Sequence, residues 1–475
     1  MQLIGRREEK DQFNRIMASG SSEFVAVFGR RRVGKTYLIR QYFDGKLSFS
    51  VTGMANVDTS AQLMNFHLSL HTHGNTEDQP PASWLQAFHR LQNLLEGNSN
   101  ERKVVFIDEM PWLDTPRSNF ISALEHFWNS WAAHRGDIVL IVCGSAASWI
   151  INELINNKGG LHNRVTCKMK IEAFRLAEVR EFLRSKQIPW NEYQIVQTYM
   201  VTGGIPFYLN ALEKEQSAVQ NINRLCFKEN GLLKTEFGNL YASLFRYPEK
   251  HVAIVEALSL RSMGMTREEI LTVAKIPNGG TATKALDELE ACGFIRKYTP
   301  YGRKYRESMY QLVDFYTLFY YQFIERSGTQ DENYWLNIID HPQTCAWSGY
   351  AFELVCLMHV REIKQALGIS GVQSEEYAWR SKELRGGAQV DLLIDRRDQV
   401  INLFEMKFSI NPYTIDAKYA ATLQNKVGLF RSETGTRKAV YLSMLTTYGL
   451  RQNAHSGMVQ NDLTMACLFL DKSTL

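Results

Sequence analysis

The sequence has little charge imbalance: 54 Lys and Arg against 50 Asp and Glu leave a formal charge of +4 over 475 residues. That removes any global electrostatic case for nucleic acid, so a basic surface must be local. Its seven cysteines, at 143, 167, 226, 292, 345, 356 and 467, include no CxxC pair, and several lie in apolar runs such as Leu354–Leu357. They read as buried, reduced thiols rather than a disulfide framework. Long hydrophobic runs are missing too: Ile138–Cys143 is typical of the longest, far short of the ~20 residues of a membrane span. The first residues, MQLIGRREEK, carry charge where a signal peptide has its apolar core. No membrane association and a cytoplasmic location are therefore expected. There is no internal repeat and no low-complexity stretch. What is present is ordinary for a globular chain, 45% hydrophobic and 22% charged residues, with length for about three domains.

Phe24–Phe28 (FVAVF) is a short apolar run rich in β-branched residues and reads as a buried strand. It leads into Gly29-Arg30-Arg31-Arg32-Val33-Gly34-Lys35-Thr36 and then, from Tyr37, a helical pattern. Strand, GxxxxGK[ST] loop and helix together form a phosphate-binding loop. Glycines let backbone N–H groups face phosphate, and the helix N-terminus adds partial positive charge. Lys35 is expected on the β- and γ-phosphates of ATP, and Thr36 on Mg²⁺. Gly29 through Thr36, with Tyr37, form the candidate nucleotide-binding set.

A second buried strand, Val104–Ile107, ends in Asp108-Glu109. Asp108 suits Mg²⁺, and Glu109 suits polarising the attacking water; a solvated strand end is the plainer alternative. A third, Asp137–Cys143, ends in Gly144-Ser145. Strand C-termini of a parallel sheet line the ligand crevice, so Ser145 is either a γ-phosphate sensor or a turn residue.

With Leu3-Ile4-Gly5-Arg6 at the start and Gly203-Gly204-Ile205-Pro206 further on, residues 1–245 resemble the AAA+ superfamily, and within it ATPases related to the STAND group. The resemblance implies that Gly204 and Pro206 lie near adenine in a small helical lid. It also implies an arginine acting on the γ-phosphate, often from a neighbouring subunit. Arg164, in Leu161-His162-Asn163-Arg164, matches that position, although His and Asn stand where the family shows Tyr and Gly. An arginine finger in trans requires a homo-oligomer.

Helical spacing continues through 172–245. Three helices within His251–Cys292 and a hairpin from Gly293 follow in winged-helix order, and Thr266 and Glu269 stand at capping-box spacing. The third helix carries Lys284 against Asp287, Glu288 and Glu290, whereas the wing holds Arg296, Lys297, Arg303, Lys304 and Arg306 among Tyr298, Tyr301 and Tyr305. Phosphate contact through the wing and a purely structural role are both open. The aromatic stretch 310–325 reads as core.

Near the C-terminus, Gln389–Ile394 and Val400–Lys407 form two strands about an Arg396-Arg397-Asp398 turn. Such a hairpin brings Asp391 near Glu405 and puts Lys407 on the face of Glu405, since i and i+2 share a face. Converging carboxylates call for a divalent cation, and an adjacent lysine can orient a water or offset phosphorane charge. Asp391…Glu405-x-Lys407 resembles the PD-(D/E)XK nuclease superfamily over residues 346–475. That resemblance implies a helix at Trp347–Glu353 whose Glu353 faces the metal, with Lys418, Tyr419 and Gln424 as auxiliary DNA-facing positions.

The expected architecture is α/β. It comprises a P-loop AAA+ parallel-sheet core (1–170), a helical lid (171–245), a winged helix (246–310), a helical connector (311–345) and a restriction-endonuclease-like α/β domain (346–475). The expected function is ATP hydrolysis coupled to a Mg²⁺-dependent nuclease acting on DNA. Its catalytic candidates are Glu109, Arg164, Asp391, Glu405 and Lys407, and its metal candidates are Thr36, Asp108, Glu353, Asp391 and Glu405. The alternative is a nucleotide-dependent switch whose C-terminal domain binds nucleic acid or protein without cutting.

Overall fold

The computed structural model describes residues 3–156, 159–245, 247–327, 331–382 and 387–471. It divides into two compact units, one built from residues up to Ala173, the other from Phe174 onward apart from a short return at Leu244. The stretch expected as a lid (171–245) thus belongs, but for its first and last residues, to the second unit.

The first unit is built on five strands: β1 (Glu23–Phe28), β2 (Leu47–Thr52), β3 (Lys103–Asp108), β4 (Ile138–Gly144) and β5 (Cys167–Lys170). They pair in parallel in the order β2-β3-β4-β1-β5. Parallel strands need crossover connections. Lys35–Tyr42, Thr59–Thr72, Trp84–Glu96 and Phe120–Ser130 supply the helices. Two of these start on side-chain caps: Asp58 accepts from Ala61 N (2.9 Å) and Ser83 from Gln86 N (3.3 Å). β3 and β4 are buried along their whole length, as strands covered on both faces must be. Trp84 packs edge-on against Phe66 and Phe120 (centroids 5.6 and 4.8 Å), and Phe88 stacks on Phe127 (5.4 Å). Each such fully buried ring contributes roughly 2–3 kcal/mol of burial free energy. Because β3 and β4 are adjacent and β1 follows β4, the C-terminal ends of β1, β3 and β4 form one crevice.

The second unit opens with helices Leu176–Ser185 and Glu192–Thr202. Further on, helices Glu249–Ser259, Arg267–Val273 and Gly280–Ala291 accompany a small antiparallel sheet of β6 (Met265–Thr266), β7 (Ile295–Tyr298) and β8 (Met309–Leu312), ordered β6-β8-β7. The capping box holds: Thr266 Oγ1 accepts from Glu269 N (3.3 Å) while Thr266 N donates to Glu269 (2.8 Å). The aromatic stretch is core, with Phe315, Tyr316, Phe319, Tyr321 and Phe323 buried.

Helices Pro342–Met358 and Val360–Ala366 then precede a five-stranded mixed sheet. Its strands are β9 (Ser374–Arg380), β10 (Gln389–Arg396), β11 (Val400–Lys407), β12 (Ala439–Thr446) and β13 (Asn461–Thr464). β9, β10 and β11 form an antiparallel meander, and β12 and β13 extend it in parallel beyond β11. Helix Ala417–Thr434 links β11 to β12 and packs Ala420 and Leu423 against Leu442 and Met444. Among the described residues no helix is long and apolar enough to cross a membrane. All seven cysteines are free; against expectation, Cys345 is exposed.

Candidate functional site

The loop after β1 is built by two glycines in the left-handed half of backbone space. Gly29 has φ +145°, and a Cβ there would lie 2.2 Å from Ile171 O; Gly34 has φ +88° and starts the Lys35–Tyr42 helix. An L side chain at Gly29 would therefore push the loop away from β5. From the N-terminal Leu3-Ile4-Gly5-Arg6 segment, Arg6 is buried and donates from Nη2 to Val33 O (2.8 Å), bracing the loop from outside. Lys35 is 6% exposed, and its Nζ donates to Gly29 O (2.9 Å) and Arg30 O (2.8 Å). Among the described residues no carboxylate pairs with it. A buried ammonium met only by carbonyl dipoles is poised to accept an anion.

Thr36 Oγ1 donates to Asp108 Oδ2 (2.9 Å), so the two expected Mg²⁺ partners meet at the ends of the loop and of β3. Burial raises the Asp108 pKa, and the Thr36 hydrogen bond opposes that shift. A buried carboxylate touched by a hydroxyl is a donor set that a hard, oxygen-seeking cation fits. Glu109 sits at φ +45°, a left-handed position outside the strand. Its Oε2 accepts from Ser145 Oγ (2.9 Å) and Ser145 N (3.2 Å) at the end of β4. Ser145 thereby holds the expected base. Arg164 is exposed on a turn, its N–H donating to Leu161 O (3.1 Å).

Gly204 and Pro206 lie in the second unit. Gly203 (φ +60°) ends helix Glu192–Thr202, and Gly204 O accepts from Phe174 N (2.9 Å). A Cβ at Gly204 would meet Phe174 O at 2.2 Å and Tyr199 Cε2 at 2.7 Å, so backbone contact dictates glycine there. Pro206 begins helix Pro206–Asn210, where its missing N–H costs nothing.

The C-terminal acids come together as the hairpin register requires. Leu392 pairs with Phe404 across β10 and β11, and Asp391 and Glu405 stand one residue beyond. Lys407 Nζ lies 2.7 Å from Glu405 Oε1. Glu405 also receives Lys426 Nζ (2.5 Å) and Tyr419 OH (2.5 Å), both from helix Ala417–Thr434. Burial alone would raise the Glu405 pKa, but the ammoniums of Lys426 and Lys407 hold it down to about 2. Lys407 is raised in turn by Glu405, against the effect of its own burial. Burial and the Asp391 charge push Glu353 up, and burial raises Asp391, which accepts from Gln389 Nε2 (2.6 Å).

Arg296, Tyr298 and Gln311 of the small sheet, with Tyr350, wall the space beside Glu353 and Asp391 and leave about 10 Å³, the lower limit for a single water. Arg296 is fixed there by its Nε bond to Gln311 Oε1 (2.7 Å) and by stacking over Tyr298 (4.9 Å). Among the described residues no group of three or more His, Cys, Asp or Glu side chains is arranged to hold a metal ion. Of the expected trio, Glu405 is engaged by two ammoniums, and burial with the Asp391 charge raises Glu353. The sequence reading missed Lys426 and gave Arg296 to the basic wing, whereas the structure turns it toward this cavity. Lys426 was in principle visible, seven residues and two helical turns from Tyr419.

Comparison with known proteins finds similarity in the first part of the chain. Residues 3–212 match a family model described as an ATPase domain predominantly from Archaea. The protein MJECL04 of Methanocaldococcus jannaschii is 24% identical over 332 residues, covering 68% of this chain and 69% of the relative. Among solved structures, the Walker-type ATPase PABY2304 of Pyrococcus abyssi has a TM-score of 0.51 at 16% identity, over 68% of this chain and 96% of that one. The ORC2 protein of Aeropyrum pernix in its ADPNP–ADP complexes has a TM-score of 0.42 at 13% identity, over 73% of this chain and 95% of that one. The family match over residues 3–212, the β2-β3-β4-β1-β5 order and the geometry from Gly29 to Ser145 agree: this stretch is similar to an archaeal ATPase domain and carries a phosphate-binding loop on a parallel sheet.

Proposed function

We propose that the chain is an ATP-hydrolysing switch whose C-terminal part engages nucleic acid without cutting it. The joint placement of Lys35, Thr36, Asp108 and Glu109 at one crevice carries the ATPase half of this reading. Bound Mg²⁺ supplies charge neutralisation at the phosphates; Thr36 and Asp108 are the residues that would hold it. Lys35 neutralises phosphate charge, and Glu109, once released by Ser145, takes the proton of the attacking water. The closed, lysine-filled acid cluster supports binding over cleavage. The helix trio with its β6-β8-β7 sheet is read as a winged helix.

A second reading, a metal-dependent nuclease, rests on a specific observation. The antiparallel β9–β11 meander is continued by parallel β12 and β13, and the helix before it carries Glu353; this arrangement around Asp391 and Glu405 supports that reading. The two readings separate in a cleavage assay on supercoiled, linear and single-stranded DNA with Mg²⁺ or Mn²⁺, with and without ATP. We expect ATP turnover without cleavage. Cleavage by the wild type that disappears in Lys407→Ala would replace the switch reading with the nuclease.

Arg164 supports an oligomeric cycle, since an exposed arginine on a turn can serve a neighbouring copy. ATP turnover per molecule is expected to rise with protein concentration, and to lose that dependence in Arg164→Ala. A rate per molecule that is flat over a wide concentration range would remove the finger in trans.

A further inference from the structure

Side chains alternate along β7. Arg296 and Tyr298 face the acid cavity, whereas Lys297 lines an open groove of about 570 Å³. The groove runs between the start of helix Arg267–Val273, the connection 299–308 and the end of β9. Arg267, Lys297, Arg303, Arg306 and Arg380 line it, against the carboxylates of Glu268 and Glu307.

What these cations already touch decides what they can still bind. Arg303 pairs with Glu307 (3.2 Å) in solvent, a contact worth little. Lys297 Nζ donates to Tyr305 OH (2.9 Å) and lies 4.4 Å from its ring centroid, so it keeps its full charge. Arg267 donates to Asn278 (2.6 Å) and Thr283 (3.2 Å), both neutral. Arg306 and Arg380 are exposed and make no side-chain hydrogen bond or ion pair among the described residues. Tyr305 is 76% exposed, an aromatic ring held over a basic surface that stacks on no other ring among the described residues. Helix Gly280–Ala291 is the opposite: its Lys284 lies 3.9 Å from Glu288, and Asp287 and Glu290 add two more acids.

We propose that this groove, shared by the small sheet and the C-terminal sheet, holds the phosphodiester backbone of duplex DNA, and that helix Gly280–Ala291 does not. The inference rests on the nucleic-acid reading above and specifies its surface. Guanidinium groups free of carboxylates bind phosphate oxygens in paired hydrogen bonds, and each phosphate neutralised releases counterions. A surface with three acids around one lysine repels the same backbone.

The test is fluorescence anisotropy of the full-length protein with a labelled mixed-sequence duplex of about 30 base pairs over a salt series. Arg306→Ala and Arg380→Ala are each expected to weaken binding several-fold and to lower the slope of log K against log salt by about one. Arg306→Lys should restore most of the slope, and Lys284→Ala should change neither quantity. Both arginines are exposed, so the melting temperatures should match the wild type. Wild-type binding with unchanged slopes in the two arginine variants, or binding lost in Lys284→Ala, would overturn the groove while leaving the nucleic-acid reading. Displacement of the duplex by polyglutamate at equal charge would also overturn the groove, as the mark of an acidic-protein surface. Failure of the wild type to bind duplex at low salt would sink both.

Discussion

Lys35→Ala protein is expected to hydrolyse ATP at least ~10²-fold more slowly than the wild type and to bind it weakly, whereas Glu109→Gln is expected to bind ATP normally and turn it over ~10²–10⁴-fold more slowly. The contrast follows from where the two side chains sit. Lys35 is buried with its ammonium turned onto two carbonyls of the loop, and in that position phosphate oxygens replace a weak set of dipoles with full opposite charge. Alanine removes that charge from ground state and transition state alike, so affinity and rate both fall. Glu109 touches Ser145 rather than the loop. The amide side chain introduced by Glu109→Gln keeps the acceptor oxygen that Ser145 needs, so the crevice should keep its shape while losing the group that takes a proton. Binding of a fluorescent ATP analogue and steady-state phosphate release, measured on both variants, check the pair. Equal affinity in Lys35→Ala and wild type, or undiminished turnover in Glu109→Gln, would remove these residues from their roles.

The first unit was legible because its chemistry is local. A strand, eight loop residues and the next helix turn build the phosphate site from contiguous sequence, and period-2 and apolar-run patterns mark β1, β3 and β4. The hairpin bearing Asp391, Glu405 and Lys407 was legible for the same reason, since i,i+2 geometry is fixed by the strand. What surrounds it was not. Lys426 reaches Glu405 from a helix, and Arg296 shares a small cavity with Asp391 from a separate sheet about ninety residues earlier in the chain. No sequence period connects such positions; packing of one element on another does. This is also why the chemistry departs from expectation. Three residues in nuclease order implied a cation, but Lys407 of that motif, the Lys426 ammonium and the Arg296 guanidinium already supply positive charge. β13 escaped notice for a simpler reason, being four residues with no run of apolar side chains.

A second large effect is expected at acid pH. His359 ends helix Pro342–Met358, fully buried, with Nδ1 against Val355 O (2.7 Å) and Nε2 facing Leu176 N (3.1 Å). The carbonyl can only accept and the amide can only donate, so Nδ1 carries the proton and Nε2 is the acceptor. A second proton on Nε2 would confront the Leu176 N–H, the positive end of helix Leu176–Ser185, and the nearby Arg175 guanidinium, which is paired to Glu362 at 3.0 Å. Tyr199 covers the ring edge-on at 5.5 Å and offers no compensating charge. Burial first, then Arg175, pushes the His359 pKa down to about 3, while the Val355 hydrogen bond pulls the other way. In the unfolded chain it titrates near 6.5. The folded value is the lower one, so the unfolded state binds the extra proton over the interval between them. Stability from this group is therefore complete above about pH 6.5 and falls as pH drops toward 3, by up to about 1.4 kcal/mol per pH unit. His359→Gln, which can still donate to Val355 and accept from Leu176 but does not titrate, should take up about one proton fewer on unfolding between about pH 4 and 6. The measurement is denaturant unfolding of both proteins across that range, compared as a difference because carboxylates titrate in each. Parallel stability curves would mean that His359 is charged in the fold, and that the Leu176 helix is not held by a neutral imidazole.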